Sequence, residues 1–273
     1  MPELPEVETT KLGIAPHLVG KKVRELTVRN GKLRWPVPDI LPREIKGHKL
    51  LDISRRGKYL LFEFERGVAL WHLGMSGSLR ILLPGEVPEP KIHEHVDLRM
   101  ADGTTLRFND PRRFGALLWS EHPVQEHELL AHLGPEPLTG EFNWEYLFQK
   151  SRGRKVPIKT FVMDSKVVVG VGNIYANEAL WASGIKPDKA SGKVTKPQYQ
   201  LLVDEIKAVL SRAITQGGTT LRDFTGGDGK PGYFAQKLNV YGRGDQPCRR
   251  CAKPLKEIRI ANRSTVYCNI CQK

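Results

Sequence analysis

The period of the apolar positions changes twice along the chain, near residue 20 and again near residue 134. Residues 5 to about 19 predict a helix, with proline at its start and glutamates in its first turn. From 22 to about 120 the pattern breaks into short alternating runs: VRELTVRN, LLDIS, KYLLFEFE, VALWHL, SLRILL, HVDLRM, TTLRF and ALLWS. Gly, Pro, Asn and Asp separate them, so this stretch predicts half-buried strands arranged as a two-sheet sandwich or barrel. A short helix is expected over 123–133, and GPEPLTG at 134–140 has the composition of a linker. Helical periodicity follows at about 143–151, 155–164, 173–183 and 197–216. Residues 217–235, with six glycines and a proline, read as a long loop of the kind that is usually functional or disordered. The chain ends in a small cysteine-bearing unit. The expected class is α+β: an N-terminal β-sandwich domain with flanking helices (1–133), a linker (134–140), a helical domain (141–236) and a C-terminal finger (237–273).

Composition narrows the function. A chain of 273 residues is long enough for about two domains, and 40% hydrophobic residues fill real cores. No run approaches the ~18 apolar residues of a membrane helix, and the N-terminus lacks the pattern of a secretory signal. A soluble, cytoplasmic protein without a membrane partner is expected. The formal net charge of +13 points to a polyanion, most often nucleic acid. That charge gathers at one end: the last 26 residues carry seven Lys/Arg against the single acid Glu257.

The same tail holds all four cysteines, as Cys248-RR-Cys251 and Cys268-NI-Cys271 with sixteen residues between the pairs. Two such hooks place four thiolates around one Zn²⁺. With no export signal, disulfides are the weaker reading. A four-cysteine site is coordinatively closed, so the metal is expected to be structural. KPLKEIRIANRSTVY between the hooks reads as a β-hairpin with Asn262-Arg263-Ser264 near its turn. A zinc nucleobase deaminase also uses Pro-Cys-x-x-Cys but needs His-x-Glu, and no histidine here has Glu two residues later.

Other motifs are weaker alone. VVVGVGNIYANEAL, 167–180, runs through Gly170 and Gly172 into a helix, a turn whose N–H groups suit a phosphate. It does not fit G-x-G-x-x-G, because position 175 is Tyr. His93, His95 and Asp97 are expected on one strand face, with the histidines solvated or facing phosphate. Asp110-Pro-Arg-Arg-Phe-Gly offers guanidiniums for a base edge and a Phe able to wedge into a base stack. Met75, in HLGMSGS, reads by itself as a packed core residue.

The N-terminus, MPELPEVE, carries three glutamates on a basic protein. Removal of Met1 exposes a secondary amine at Pro2. With an α-amino pKa of ~7.7–8, part of it is neutral near pH 7. Such an amine can attack a sugar C1′ and form an iminium, as lysine does in Schiff bases. Glu3 beside it could move protons. A helix start with a dipole partner is the plainer reading of the same residues.

Order decides between them. PELPEVE at the extreme N-terminus, RRGKYL at 55–60, HLGMSGSLR at 72–80, DPRRFG at 110–115, LGPEPL at 133–138, GVGNIYANE at 170–178 and the Cys₄ finger occur in one chain. Together they resemble the bacterial formamidopyrimidine-DNA glycosylase/endonuclease VIII family over essentially the whole length. Leu4 resembles the oxidised-purine branch, since the endonuclease VIII branch typically has glycine there. The resemblance implies a monomeric base-excision-repair enzyme of the bacterial cytoplasm, associated with the nucleoid when on DNA. Its substrate would be duplex DNA with oxidised purines (8-oxoguanine, formamidopyrimidines) or abasic sites. Its helical domain would hold a helix–two-turn–helix, and one structural Zn²⁺ would sit on Cys248, Cys251, Cys268 and Cys271. Pro2 would be the Schiff-base nucleophile and Glu3 the proton donor. Lys58 is implied in β-elimination and Arg263 in δ-elimination. Met75, Arg112 and Phe114 would fill the void left by the everted base. His93, Arg112, Arg154, Lys159, Asn173, Tyr241 and Arg263 would grip phosphates. The 217–235 loop would close over the base. The alternatives are an oxidised-pyrimidine glycosylase of the endonuclease VIII type and a non-enzymatic zinc-finger DNA-binding protein.

Overall fold

The computed structural model describes residues 2–121, 123–217 and 238–273. Met1 and, apart from Gly217, the loop expected to close over a base lie outside the described residues. The described residues form two compact units, residues 2–131 with 216–217, and residues 132–215 with 238–273.

The first unit begins with helix α1, Leu4–Leu18. Pro5 sits in its first turn, where a missing N–H costs nothing. Leu4, Val7, Ile14 and Leu18 are buried along one face. The eight alternating runs become eight strands, all paired antiparallel: β1 Val23–Val28, β2 Asp52–Arg56, β3 Tyr59–Phe64, β4 Gly67–His72, β5 Ser78–Leu82, β6 Glu94–Met100, β7 Thr105–Asn109 and β8 Ala116–Ser120. They make two four-stranded sheets, β1-β6-β7-β5 and β2-β3-β4-β8. One apolar core fills the space between them: Trp71 of the second sheet meets Phe108 of the first edge-on at 5.4 Å. Arg107, 2% exposed, donates to both oxygens of Asp97 on the neighbouring strand and to Glu94. Burial alone would raise the Asp97 carboxyl, but Arg107 and Arg29 hold it below its usual range.

Two local expectations change. A short helix α2, Leu41–Ile45, interrupts the strands, five residues being too few to show a helical period. The helix expected over 123–133 is only a 3₁₀ turn at Val124–Glu126, with Pro123 before it.

The second unit holds α3 Trp144–Ser151, α4 Ile158–Met163, α5 Asn173–Ala182 and α6 Lys196–Thr215, close to the expected spans, and the hairpin β9 Lys256–Ile260 with β10 Arg263–Tyr267. Asn143 caps α3, its side-chain oxygen accepting from Tyr146 N at 2.9 Å. The 134–140 stretch, linker-like in composition, is tied into this unit: Gly134 N donates to Ser165 O, and Thr139 O accepts from Lys207 Nζ. The finger also shares the unit with the helices. Among the described residues no helix is long and apolar enough to cross a membrane.

Candidate functional site

In the first unit, Pro2 and Glu3 lead directly into α1. Both are buried, Glu3 to 2% exposure. Glu3 is the N-cap, and its backbone N–H donates to Glu6 Oε2 at 2.9 Å. The second turn of α1 reaches the β2–β3 hairpin. Arg55 Nε donates to Glu8 Oε2 at 2.6 Å, and Arg55 Nη1 donates to Gly57 O at 2.9 Å. Gly57 and Lys58 form the two-residue turn of that hairpin, and Gly57 takes the positive φ of 57° that the first turn position favours in glycine. One ion pair thus connects the helix carrying Pro2 to the turn carrying Lys58. Burial would raise the Glu8 carboxyl, but Lys11 and Arg55 bring it below its usual range.

A residue passed over in the sequence joins this group. His72 ends β4, and burial together with the charges of Lys58 and Arg34 pushes its imidazole down to about 4. Gly74 N donates to its Nδ1 at 3.0 Å, which leaves the proton on Nε2. HLGMSGS had drawn attention only to Met75, and nothing local marks the histidine as near Lys58.

His72 also lines a cavity of about 650 Å³ with Lys32, Arg34, Met75, Arg112 and Phe114. Met75 and Phe114 are 39% and 45% exposed, against the packed-core reading of Met75 taken alone. The Arg112 guanidinium lies 5.1 Å from the Phe114 ring centroid. Two apolar side chains and a cation therefore project from neighbouring loops. His93 and His95 do lie edge to face, with ring centroids 6.4 Å apart, but they do not share one environment. His93 is exposed, whereas His95 is buried with Nε2 2.9 Å from Asp110 O. An irregularity in the β6–β7 register between Glu94 and Val96 breaks the alternation.

In the second unit the four Sγ atoms lie within 4.8 Å of one another, with Cys248–Cys271 at 4.0 Å and Cys251–Cys268 at 3.5 Å. A disulfide needs ~2.05 Å, whereas tetrahedral Zn–S bonds of ~2.3 Å put sulfurs ~3.8 Å apart. The donors fit one structural zinc. Arg250 N and Cys271 N also point at Cys248 and Cys268 sulfur, each at 3.4 Å, which suits thiolates.

The hairpin turns through Ala261 and Asn262, both at positive φ (47° and 60°), and Arg263 is the first residue beyond. Arg263 and Arg154, both exposed, line a cavity of about 350 Å³ with Thr160 and Asp164. Helix α5 holds the finger in place. Asn177 Oδ1 accepts from Val266 N, and the buried Glu178 carboxylate accepts from the N–H groups of Asn239, Val240 and Tyr241. Asn173, the first residue of α5, and Tyr241 therefore lie on one braced assembly. Lys159 differs from the other cations of the expected phosphate grip: it is 1% exposed and donates to Ser264 O at 2.8 Å and Thr265 Oγ1 at 2.7 Å. Its position in α4 points it into the packed face.

These parts define a DNA-binding protein with a zinc-braced basic hairpin in one unit and a helix-borne N-terminal residue pair in the other. Residues 1–117 match the formamidopyrimidine-DNA glycosylase N-terminal domain, 133–225 the formamidopyrimidine-DNA glycosylase H2TH domain, and 245–273 the zinc finger found in FPG and IleRS. The formamidopyrimidine-DNA glycosylase of Saccharophagus degradans is 60% identical over 273 residues, the whole of both chains. Two crystal structures of Lactococcus lactis Fpg superpose with TM-scores of 0.90 at 32% identity. One, bound to DNA containing N7-benzyl-Fapy-dG, is covered over 100% of both chains, and the other, bound to abasic-site DNA, over 99% of both. The chain belongs to the formamidopyrimidine-DNA glycosylase family.

Proposed function

We propose that this chain excises oxidised purines, 8-oxoguanine and formamidopyrimidines, from duplex DNA and then cleaves the strand. The observation that carries this reading is the buried Pro2-Glu3 pair opening α1, tied through Glu8 and Arg55 to the Lys58 turn. A protein that only bound DNA would need the pair for no more than the start of α1.

Once Met1 is removed, the Pro2 nitrogen attacks C1′ of the damaged nucleotide. The glycosidic bond breaks and its electrons leave with the base, while Glu3 supplies a proton. The nitrogen, having given up its proton, stays bound to C1′; the C1′–O4′ bond then breaks, O4′ takes up a proton, and the nitrogen lone pair completes an iminium, which acidifies the C2′ hydrogen. Loss of that proton expels the 3′ phosphate, and a second elimination expels the 5′ phosphate. Lys58 serves the first elimination and Arg263 the second, each cation stabilising a departing phosphate. The products are a one-nucleotide gap with phosphates at both ends and a sugar fragment on Pro2, which water releases. A stacked base is out of reach, so it must be everted. Met75, Arg112 and Phe114, exposed beside their cavity, suit the space it vacates. Arg154, Asn173, Tyr241, Arg263, Arg112 and His93 hold the phosphates. The zinc, when bound, keeps the hairpin folded.

The test is borohydride trapping on duplexes containing 8-oxoguanine opposite cytosine, thymine glycol or an abasic site. A covalent complex with the first and third that disappears in Pro2→Gly is expected. Preference for thymine glycol would move the substrate to oxidised pyrimidines. No trapped complex from protein with a mass-verified Pro2 terminus would leave only DNA binding.

A further inference from the structure

The loop carrying Met75 and the loop carrying Arg112 and Phe114 are separated by more than thirty residues in sequence, yet they meet at one buried carboxylate. Asp110 is 0% exposed. Its Oδ1 accepts from the Ser76 hydroxyl at 2.8 Å, and its Oδ2 accepts from Gly115 N at 2.8 Å. Its backbone N–H donates to His93 O at 2.9 Å. Ser76 Oγ in turn lies 3.4 Å from the N–H of Arg112. The loops also touch backbone to backbone, since a Cβ on Gly74 would come within 2.4 Å of Gly115 N. Burying a carboxylate is costly unless hydrogen bonds satisfy it. Here the bonds that do so join the two loops.

Resting on the glycosylase reading above, we infer that Asp110 and Ser76 are positioning residues that lock Met75, Arg112 and Phe114 into one rigid wedge, and so act on base eversion and not on the chemistry at Pro2. Eversion costs a few kcal/mol of stacking and pairing. A wedge on two independently mobile loops would yield to that load, whereas one braced at its root transmits it. Neither residue touches Pro2, Glu3 or Lys58 through any bond described, and a preformed abasic site has no base to pry out.

The experiment compares zinc-loaded, N-terminally processed wild type, Asp110→Asn and Ser76→Ala in single turnover on two duplexes. One carries 8-oxoguanine opposite cytosine and the other a preformed abasic site, and 2-aminopurine beside the lesion reports unstacking. Displacing the wedge by about an ångström in Asp110→Asn should slow base excision on the order of 100-fold. Losing the hydrogen bond to Asp110, together with the longer one from Arg112 N, in Ser76→Ala should slow it about tenfold. The 2-aminopurine signal should slow by the same factors, while cleavage at the abasic site changes little. Equal losses on both duplexes, or an unchanged 2-aminopurine step, would overturn the assignment. If Asp110→Asn does not fold, Ser76→Ala decides, because the carboxylate and its bond to Gly115 remain. Wild type inactive on both duplexes would instead remove the glycosylase reading itself.

Discussion

The Lys159 ammonium donates to Ser264 O and Thr265 Oγ1, 105 and 106 residues away in the chain and directly beside Arg263. A cation expected to hold DNA from outside instead braces the strand that presents another cation. Lys159→Met should leave those two oxygens without their donor, at about 1–3 kcal/mol for each buried group unsatisfied. Thermal unfolding should show the loss. The product ratio should also shift from the δ- to the β-elimination product, because Arg263 loses its support. An unchanged ratio would mean that the hairpin is held without Lys159.

Glu8 and Arg55 make a different kind of tie, a charge pair of 2.6 Å between α1 and the hairpin that carries Lys58. Glu8→Gln keeps the shape and removes the charge. Base excision should be nearly preserved, while β-elimination slows roughly tenfold, the equivalent of one weakened charged hydrogen bond. Quenched-flow separation of the two steps reads this directly, and a parallel fall in both would place the pair in general stability.

His72 predicts a pH dependence whose sign follows from its low folded-state value of about 4. Unfolded, the imidazole titrates near 6.5. Between these values the unfolded chain binds the extra proton, so stability rises with pH across the window. The contribution is fully present above about pH 6.5 and is lost as pH falls through about 4. Its ceiling is about 3 kcal/mol, from about 1.4 kcal/mol per unit. His72→Asn should flatten the unfolding free energy over that range. A slope unchanged by the substitution would assign the acid limb to other groups.

Zinc removal should act through the hairpin alone. In Cys268→Ser, or after chelation, metal and DNA affinity should be lost together, while strand-sheet signals of the first unit persist in circular dichroism. The wild type should lose affinity steeply with salt, at a slope of roughly −0.9 per phosphate neutralised, and the metal-free form more gently. Full-affinity binding without zinc would contradict the role given to the finger.

How far local pattern carries is clear from particular elements. All eight alternating runs became strands, and five of the six helical stretches became helices, because each pattern reflects which side of an element meets its own core. The cysteine hooks were equally readable, since C-x-x-C spacing is itself a geometric constraint. Lys159 was not. A lysine in a basic stretch looks the same whether it points to solvent or into a packed face, and only the neighbouring hairpin distinguishes the two. His95 was misjudged as solvated or facing phosphate for a related reason, because a register irregularity shifts the face it occupies.

By itself the chain determined most of its elements, its metal ligands and, through the order of its motifs, its family. Those follow from local periodicity, covalent spacing and residue chemistry. Only the tertiary structure decided what braces the expected site residues: Asp110 between the Met75 loop and the Arg112–Phe114 loop, Glu8 with Arg55 beside Lys58, and Lys159 with Glu178 behind the finger. Each joins segments distant in sequence, and a polar side chain becomes a brace only where packing has excluded the water that would otherwise satisfy it.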